Sequence, residues 1–262
     1  MSERLRPMLF VICAVCCGSS STTAPTSPPS APAQTMTPAR VLLVTYTTGY
    51  RHGSIDVAEP VLEALGRSSG LFTTTFCRTA TDVNRYITPS GLAEFDGVVF
   101  ANTTGDLGIP DLGAFLRWVA AGHAFAGTHS ASDTYHNRLE YLDMLGDEFD
   151  KHGNQTEVVA TVETPSNPAV APLGSTYRVF DEIYRFKTNN RDRVIPLLTL
   201  RAYPQDGLEH AGEMGDLPLA WAKMYGTGRV FYTALGHRDE LWRDATYQQH
   251  VLGGIRWALA RM

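Results

Sequence analysis

Cysteine is almost absent from the body of this chain. Of the four in 262 residues, Cys13, Cys16 and Cys17 crowd the N-terminus, and only Cys77 lies beyond it. A disulfide framework within the folded part is excluded, and so is a zinc site built on cysteine pairs. Lysine is scarce too: Lys151, Lys187 and Lys223 are the whole set, and no basic run occurs. With 22 Lys+Arg against 27 Asp+Glu the net charge is −5, which argues against a nucleic-acid partner. There is no P-loop, no G-x-G-x-x-G after the first strand and no H-E-x-x-H, so the common phosphate, dinucleotide and metalloprotease signatures are missing. What is present is an ordinary globular composition, 44% apolar and 19% charged, long enough for a core that needs no staples.

The N-terminus reads as an export leader. Arg4 and Arg6 precede Met8 to Cys17, an uninterrupted apolar stretch of ten residues, too short for a helix that spans a bilayer at roughly 20. From Gly18 to Ala39, twenty of twenty-two residues are Gly, Ser, Thr, Pro or Ala. Such a segment cannot bury enough apolar surface to offset ordering, so it reads as a disordered tether. A leader, a cysteine and a tether are the parts of a bacterial lipoprotein, with Cys17, or Cys16 beside it, as the lipidated residue and membrane contact through the lipid alone. A plain secretory signal cleaved near Cys17–Ser20 is the alternative. The organisation expected is a leader at 1–17, a tether at 18–39 and one domain at 40–262, the last with 20 basic and 26 acidic residues.

In that domain, short apolar runs alternate with amphipathic stretches. Val41–Tyr46, Phe72–Cys77, Phe95–Ala101 and His123–Gly127 read as buried strands. Between them, Val57–Arg67 and the segment opened by Pro110 carry helical stripes, and Tyr135–Leu145 is expected as a helix with Leu139, Leu142 and Leu145 on one side. This alternation predicts a mostly parallel sheet with helices on both faces. After Val158 come strand-like runs at 157–163, 177–187, 194–200, 218–225 and 229–235, the last two joined through Gly226-Thr227-Gly228. A helix at about 244–260 closes the chain.

Ligands of open α/β sheets bind beyond the carboxyl ends of the strands. Those ends carry Thr48-Gly49-Tyr50-Arg51-His52, Asn102-Thr103-Thr104, Gly127-Thr128-His129-Ser130-Ala131-Ser132-Asp133 and Gly236-His237-Arg238. Three histidines on one sheet edge point to a shared site. The fourth strand runs through Gly127 into a small-residue turn shaped like a nucleophile elbow, but His129 stands where serine or cysteine would be needed. Covalent acyl chemistry, glutamine amidotransfer included, is therefore disfavoured. Cys77, at a strand end, is most simply a buried apolar residue. Imidazole at an exposed turn suits a general base, a metal ligand or a donor to a sugar. A divalent metal held by His52, His129, His152 or His237, with Glu182 as a further oxygen ligand, is compatible with the residues and not required by their spacing.

Several of these segments resemble the ThuA-like (trehalose utilisation) family: Thr48-Gly49-Tyr50-Arg51-His52 with Ile55, Gly127 to Ala131, Met144-Leu145-Gly146 with Phe149 and His152, Asp181-Glu182-Ile183-Tyr184, and Leu219-Ala220-Trp221 through Gly236-His237 to Trp242 and His250. The resemblance implies a flavodoxin-like fold of the class I glutamine amidotransferase-like superfamily, without that superfamily's catalytic cysteine. It also implies work on disaccharides in a setting where a sugar hydroxyl has been oxidised to a ketone. On that implication His129 and His237 are candidates for base and enolate stabiliser, with Glu182 orienting or assisting. His52 and Asp133 would contact substrate, and Tyr50, Tyr184 or Trp242 would stack on sugar rings. A non-catalytic, cell-surface carbohydrate-binding lipoprotein is the rival class. The loop between Ala202 and Gly215, with Asp206, Glu209, His210 and Glu213, matches no motif, and such loops often set substrate choice.

Cys17→Ser is expected to move the protein from the membrane fraction to the soluble exported fraction. Wild-type protein already fully released from cells would exclude the lipid anchor.

Overall fold

Strand β1 (Ala39–Val44) is buried at every position except Arg40. Val41 and Leu43 enter one apolar core, Leu42 and Val44 another, as a strand covered on both faces requires. A computed structural model describes residues 37–261, together with residues 10 and 11. The leader, Cys17 and nearly all of the tether lie outside the described residues. The chain divides into a unit of residues 1–35 and a second of residues 36–262, and the second carries the elements that follow.

These are α1 (Ile55–Ser69), β2 (Phe72–Cys77), α2 (Ala80–Tyr86), α3 (Pro89–Leu92), β3 (Gly97–Ala101), α4 (Leu112–Ala120), β4 (Ala124–Thr128), α5 (Leu139–Leu145), β5 (Phe149–His152), β6 (Thr156–Val162), β7 (Thr176–Asp181), β8 (Tyr184–Phe186), β9 (Ile195–Ala202), β10 (Met214–Tyr225), β11 (Gly228–Thr233), α6 (Asp239–Arg243) and α7 (Ala245–Ala258). The main sheet runs β2-β1-β3-β4-β11-β10-β9-β6-β7. Its first five strands are parallel, and an antiparallel wing of β10, β9, β6 and β7 extends it. Residues of α1, α6 and α7 join the core on one face; residues of α2 to α5 join the core on the other. This is the α/β sheet with helices on both faces that the alternation predicts.

Local chemistry fixes the ends. Gly70 takes a left-handed φ of 66° and closes α1 onto Arg67 O. Asp111, rather than Pro110, caps α4 by accepting from Ala114 N. Cys77 is buried, and desolvation pushes its thiol up to about 12, so it is a packing residue.

Three expectations need correction. The helix foreseen from Tyr135 begins only at Leu139, because Tyr135 and Asn137 have φ of 57° and 62° and break the helical path. Leu139 is consequently exposed, outside the apolar side assigned to it. The single strand expected over 177–187 is two, since the chain leaves the sheet at Glu182–Ile183 and β8 pairs with β5 in a separate two-stranded ribbon.

α7 lies close on its support: a Cβ at Gly253 would sit 2.1 Å from Pro168 O, and one at Gly254 2.3 Å from the Phe231 ring. In an open helix Ala is better than Gly by about 1 kcal/mol. Here Gly253→Ala is expected to destabilise by about 1–3 kcal/mol through overpacking, seen as a lower urea midpoint. An unchanged or higher midpoint would contradict this packing.

Candidate metal and substrate site

Four side chains reach one point from four places in the chain. His52 comes from the loop after β1, His129 from the end of β4, His237 from the segment after β11, and Glu182 from the break between β7 and β8. One donor atom from each lies within 4.8 Å of all the others. His129 occupies the elbow with φ of 46°, a left-handed conformation that is unusual for a side chain with a Cβ and a mark of local constraint. Asp181 brings the last two groups together: its Oδ2 accepts from Gly236 N at 2.7 Å and His237 N at 3.3 Å. This ties the end of β7 to the segment after β11.

Three of the donors form a nearly regular triangle. His237 Nδ1 lies 3.3 Å from His129 Nε2 and 3.3 Å from Glu182 Oε2, and His129 Nε2 lies 3.6 Å from the same oxygen. The outer atoms of two of the rings are engaged elsewhere. His129 Nδ1 donates to Ala234 O at 2.8 Å, leaving Nε2 with its lone pair toward the centre. His52 Nδ1 is 3.2 Å from Ser130 Oγ. Behind Glu182, its Oε1 meets His152 Nδ1 at 3.2 Å.

Electrostatics favours neutral rings at the back of the cluster. Desolvation pushes His52 down to about 4 and holds His129 well below its ordinary value. His237 moves the other way, raised by its hydrogen bond to Glu182. Burial pushes the Asp181 carboxyl up to about 6 against the backbone hydrogen bonds it accepts.

Neutral imidazoles and one carboxylate are the donor set of a divalent transition metal. With metal–nitrogen bonds of about 2.0–2.1 Å, tetrahedral ligands stand about 3.3–3.4 Å apart, close to the edges of this triangle. His52 is placed as a fourth ligand. The hydrogen bonds to Ala234 O, Ser130 and His152 are the outer contacts that fix ligand orientation in such sites. The cluster could hold a metal ion, and its residues fit one.

The cluster opens into a cavity of about 270 Å³ lined by Tyr50, His52, Asp133, Phe149, His152, Glu182, Tyr184 and His237. A second cavity, of about 340 Å³, is lined by Lys151, Arg185, Lys187 and Tyr203 among others. Its basic groups are already paired, Lys151 with Glu209, Arg185 with Asp206 and Lys187 with Glu148, and among the described residues no group of metal donors converges there.

Most residues singled out in the sequence are brought together: His52, His129, His237 and Glu182 in the cluster, Tyr50, Asp133, His152 and Tyr184 around the cavity. Three expectations change. Trp242 is fully buried in the core, donates from Nε1 to Gly236 O at 2.9 Å and packs on Tyr247, so it has no face for a sugar. His129 is fully buried beneath Tyr184, ring centroids 4.2 Å apart, rather than exposed at a turn. His152 stands behind Glu182 and outside the four-group cluster. Sequence reasoning missed Phe149 as a wall and His136 and Glu148 beside Asp133. Phe149 belongs to the β5–β8 ribbon, whose strands are too short to leave a period; Glu148 directly precedes it, and His136 lies in the segment before α5.

The family model for trehalose utilisation, ThuA, matches residues 40–258, and the chain belongs to this family. Among solved structures it is similar to a ThuA-like protein from Parabacteroides merdae, at 21% identity and a TM-score of 0.69 over 85% of this chain and 90% of that one. A ThuA-like protein from Bacteroides uniformis aligns at 22% identity and a TM-score of 0.70, over 88% and 95%. A β-galactosidase from Bacillus circulans aligns at 12% identity and a TM-score of 0.53, over 84% of this chain but 31% of that one. These likenesses establish the fold. No curated protein matches the chain.

Because His129 is buried and hydrogen-bonded, His129→Ala is expected to cost about 2–4 kcal/mol of stability and to abolish stoichiometric metal binding. A variant with wild-type Tm and full metal content would remove His129 from the cluster's design.

Proposed function

We propose that this protein is a metal-dependent enzyme of carbohydrate metabolism that acts on keto-glycosides or keto-disaccharides by removing the proton next to a ring ketone. The observation that carries this reading is the triangle of His129 Nε2, His237 Nδ1 and Glu182 Oε2, with edges of 3.3, 3.3 and 3.6 Å, at the floor of an aromatic-walled cavity. A ketone acidifies the C–H beside it. When a base takes that proton, the electron pair of the broken bond moves onto the ketone oxygen, allowing isomerisation or loss of the neighbouring substituent. A bound divalent cation would supply charge stabilisation at that oxygen. Tyr50 and Tyr184 would bracket the sugar, Tyr50 standing edge-on to His52 with ring centroids 4.8 Å apart. Buried and with its proton engaged by Ala234 O, His129 is suited to holding an ion rather than serving as the base. The base belongs among the groups facing the cavity.

The leader and tether support a further part of this reading: export, with the domain held at the membrane surface by lipid on Cys17.

The direct test is hydrogen–deuterium exchange, followed by NMR, at the carbon beside the ketone of a methyl glucoside bearing a ring ketone. Purified protein is expected to catalyse exchange, to lose it on chelation and to regain it with added Zn²⁺ or Mn²⁺. Binding of unmodified disaccharide with no exchange would favour the non-catalytic carbohydrate-binding protein instead.

A further inference from the structure

We propose that Asp133 is the base that takes the substrate proton, and that His136 and Glu148 are the positioning residues that aim its carboxylate into the cavity. The assignment rests on the keto-sugar chemistry proposed above and adds the proton acceptor that the cluster itself does not provide. Once His52, His129, His237 and Glu182 are committed to one point, the titratable groups left on the cavity wall are Asp133 and His152, with the phenols of Tyr50 and Tyr184. Burial holds Tyr184 well above the ordinary phenol range, which disfavours its ionised form. His152 Nδ1 is taken up by Glu182 Oε1 at 3.2 Å and Gly153 O at 3.0 Å, which makes it a support for Glu182.

Asp133 is held differently. Its Oδ1 accepts from His136 Nε2, while His136 Nδ1 donates to Glu148 Oε1 at 2.5 Å. Lys187 Nζ closes the chain on the same Glu148 oxygen at 2.6 Å. Among the described residues Asp133 Oδ2 carries no hydrogen bond, so one oxygen is anchored and the other is available to substrate. Burial opposes charge on His136, but its hydrogen bonds to Glu148 and Asp133 outweigh this and raise its pKa. Both ring nitrogens face carboxylate oxygens, so the protonated ring donates to Glu148 and Asp133 together. About two-fifths of its side chain is exposed, which gives the Asp133 end of the site a path to solvent.

Backbone geometry supports a functional constraint here. His136 is flanked by Tyr135 and Asn137, both in the left-handed region at φ of 57° and 62°, a conformation that costs of order 1 kcal/mol for each such residue. Tyr135 is fixed there by its N–H to Gly105 O at 3.2 Å and by its hydroxyl accepting from Ile109 N at 3.1 Å. The double inversion turns His136 back toward Asp133 and away from the path of a continuing helix. Tyr135 is buried in the core against Tyr141, whereas His136, between the two inverted residues, is exposed.

The step balances without a co-reactant. The C–H bond beside the ketone breaks, its proton passes to Asp133 Oδ2, and its electron pair moves onto the ketone oxygen. Return of a proton from Asp133 to carbon completes exchange or isomerisation, and water renews the proton on the carboxyl.

The test uses the full-length protein, the ring-ketone methyl glucoside and the exchange readout, together with bound metal per chain, sugar Kd and Tm. Asp133→Asn is expected to slow exchange by about 10²-fold or more with metal content and Kd unchanged; Asp133→Ser serves if the amide disturbs folding. His136→Ala is expected to slow exchange with Kd unchanged, and His136→Gln, which keeps a donor toward Asp133, to restore most of it. Exchange that persists in both Asp133 variants overturns the assignment while leaving the keto-sugar reading intact. Loss of exchange in His152→Gln with metal retained, and none in Asp133→Asn, gives the role to His152. Wild-type protein that binds metal and never catalyses exchange defeats the keto-sugar reading and this assignment with it.

Discussion

Three imidazoles and a carboxylate share one small buried space, and their mutual approach constrains everything around them. Ring nitrogens 3.3 Å apart beside a carboxylate oxygen are tolerable only when the protons are distributed so that each close pair has a donor or a cation between its atoms. The protein arranges this from outside: Ala234 O fixes the tautomer of His129, Ser130 engages His52, and His152 engages the far oxygen of Glu182. Desolvation keeps His52 and His129 neutral. Such an arrangement is preorganised for a cation, with the cost of ordering the ligands met by the fold.

The sheet provides the points of attachment. β1, β4 and β11 are parallel and lie on the same half of the main sheet, so the segments after them meet at one edge, in accordance with the rule for open α/β sheets. Glu182 arrives from the antiparallel wing, through a strand at the opposite end of the sheet. Asp181 makes this possible by capping the backbone of Gly236 and His237 with a buried carboxylate. The wing and the β5–β8 ribbon then wall the cavity with Phe149, His152 and Tyr184, leaving the parallel half to hold the base of the site.

Much of this was legible in the residues. The parallel strands announced themselves as short apolar runs, and three histidines at their ends followed from position alone. Glu182 did not: a carboxylate after an edge strand looks like a solvated one, so the residues offer it only as a possible oxygen ligand, and its role beside the histidines comes from the resemblance to the ThuA family. The split of 177–187 into β7 and β8 is hidden because β7 is rich in aromatic and β-branched residues and β8 in aromatic ones, and periodicity does not record a change of partner. Tyr135 and Asn137 concealed the start of α5, since left-handed backbone has no reliable signal outside glycine. The burial of Trp242 is not legible either, because an indole that packs on Tyr247 and one that stacks on a sugar have the same local sequence. For His129 the position along the chain is legible and the depth is not, as burial at a turn depends on Tyr184 from a distant ribbon.

The account stands or falls on whether the four-group cluster holds a metal through these side chains. X-ray absorption on protein loaded with one Zn²⁺ per chain measures this directly. The predicted spectrum has nitrogen and oxygen neighbours at about 2.0–2.2 Å, with outer-shell scattering from imidazole rings that diminishes in His237→Ala. A shell of water-like oxygens with no imidazole scattering, or a spectrum unchanged by His237→Ala, would contradict it.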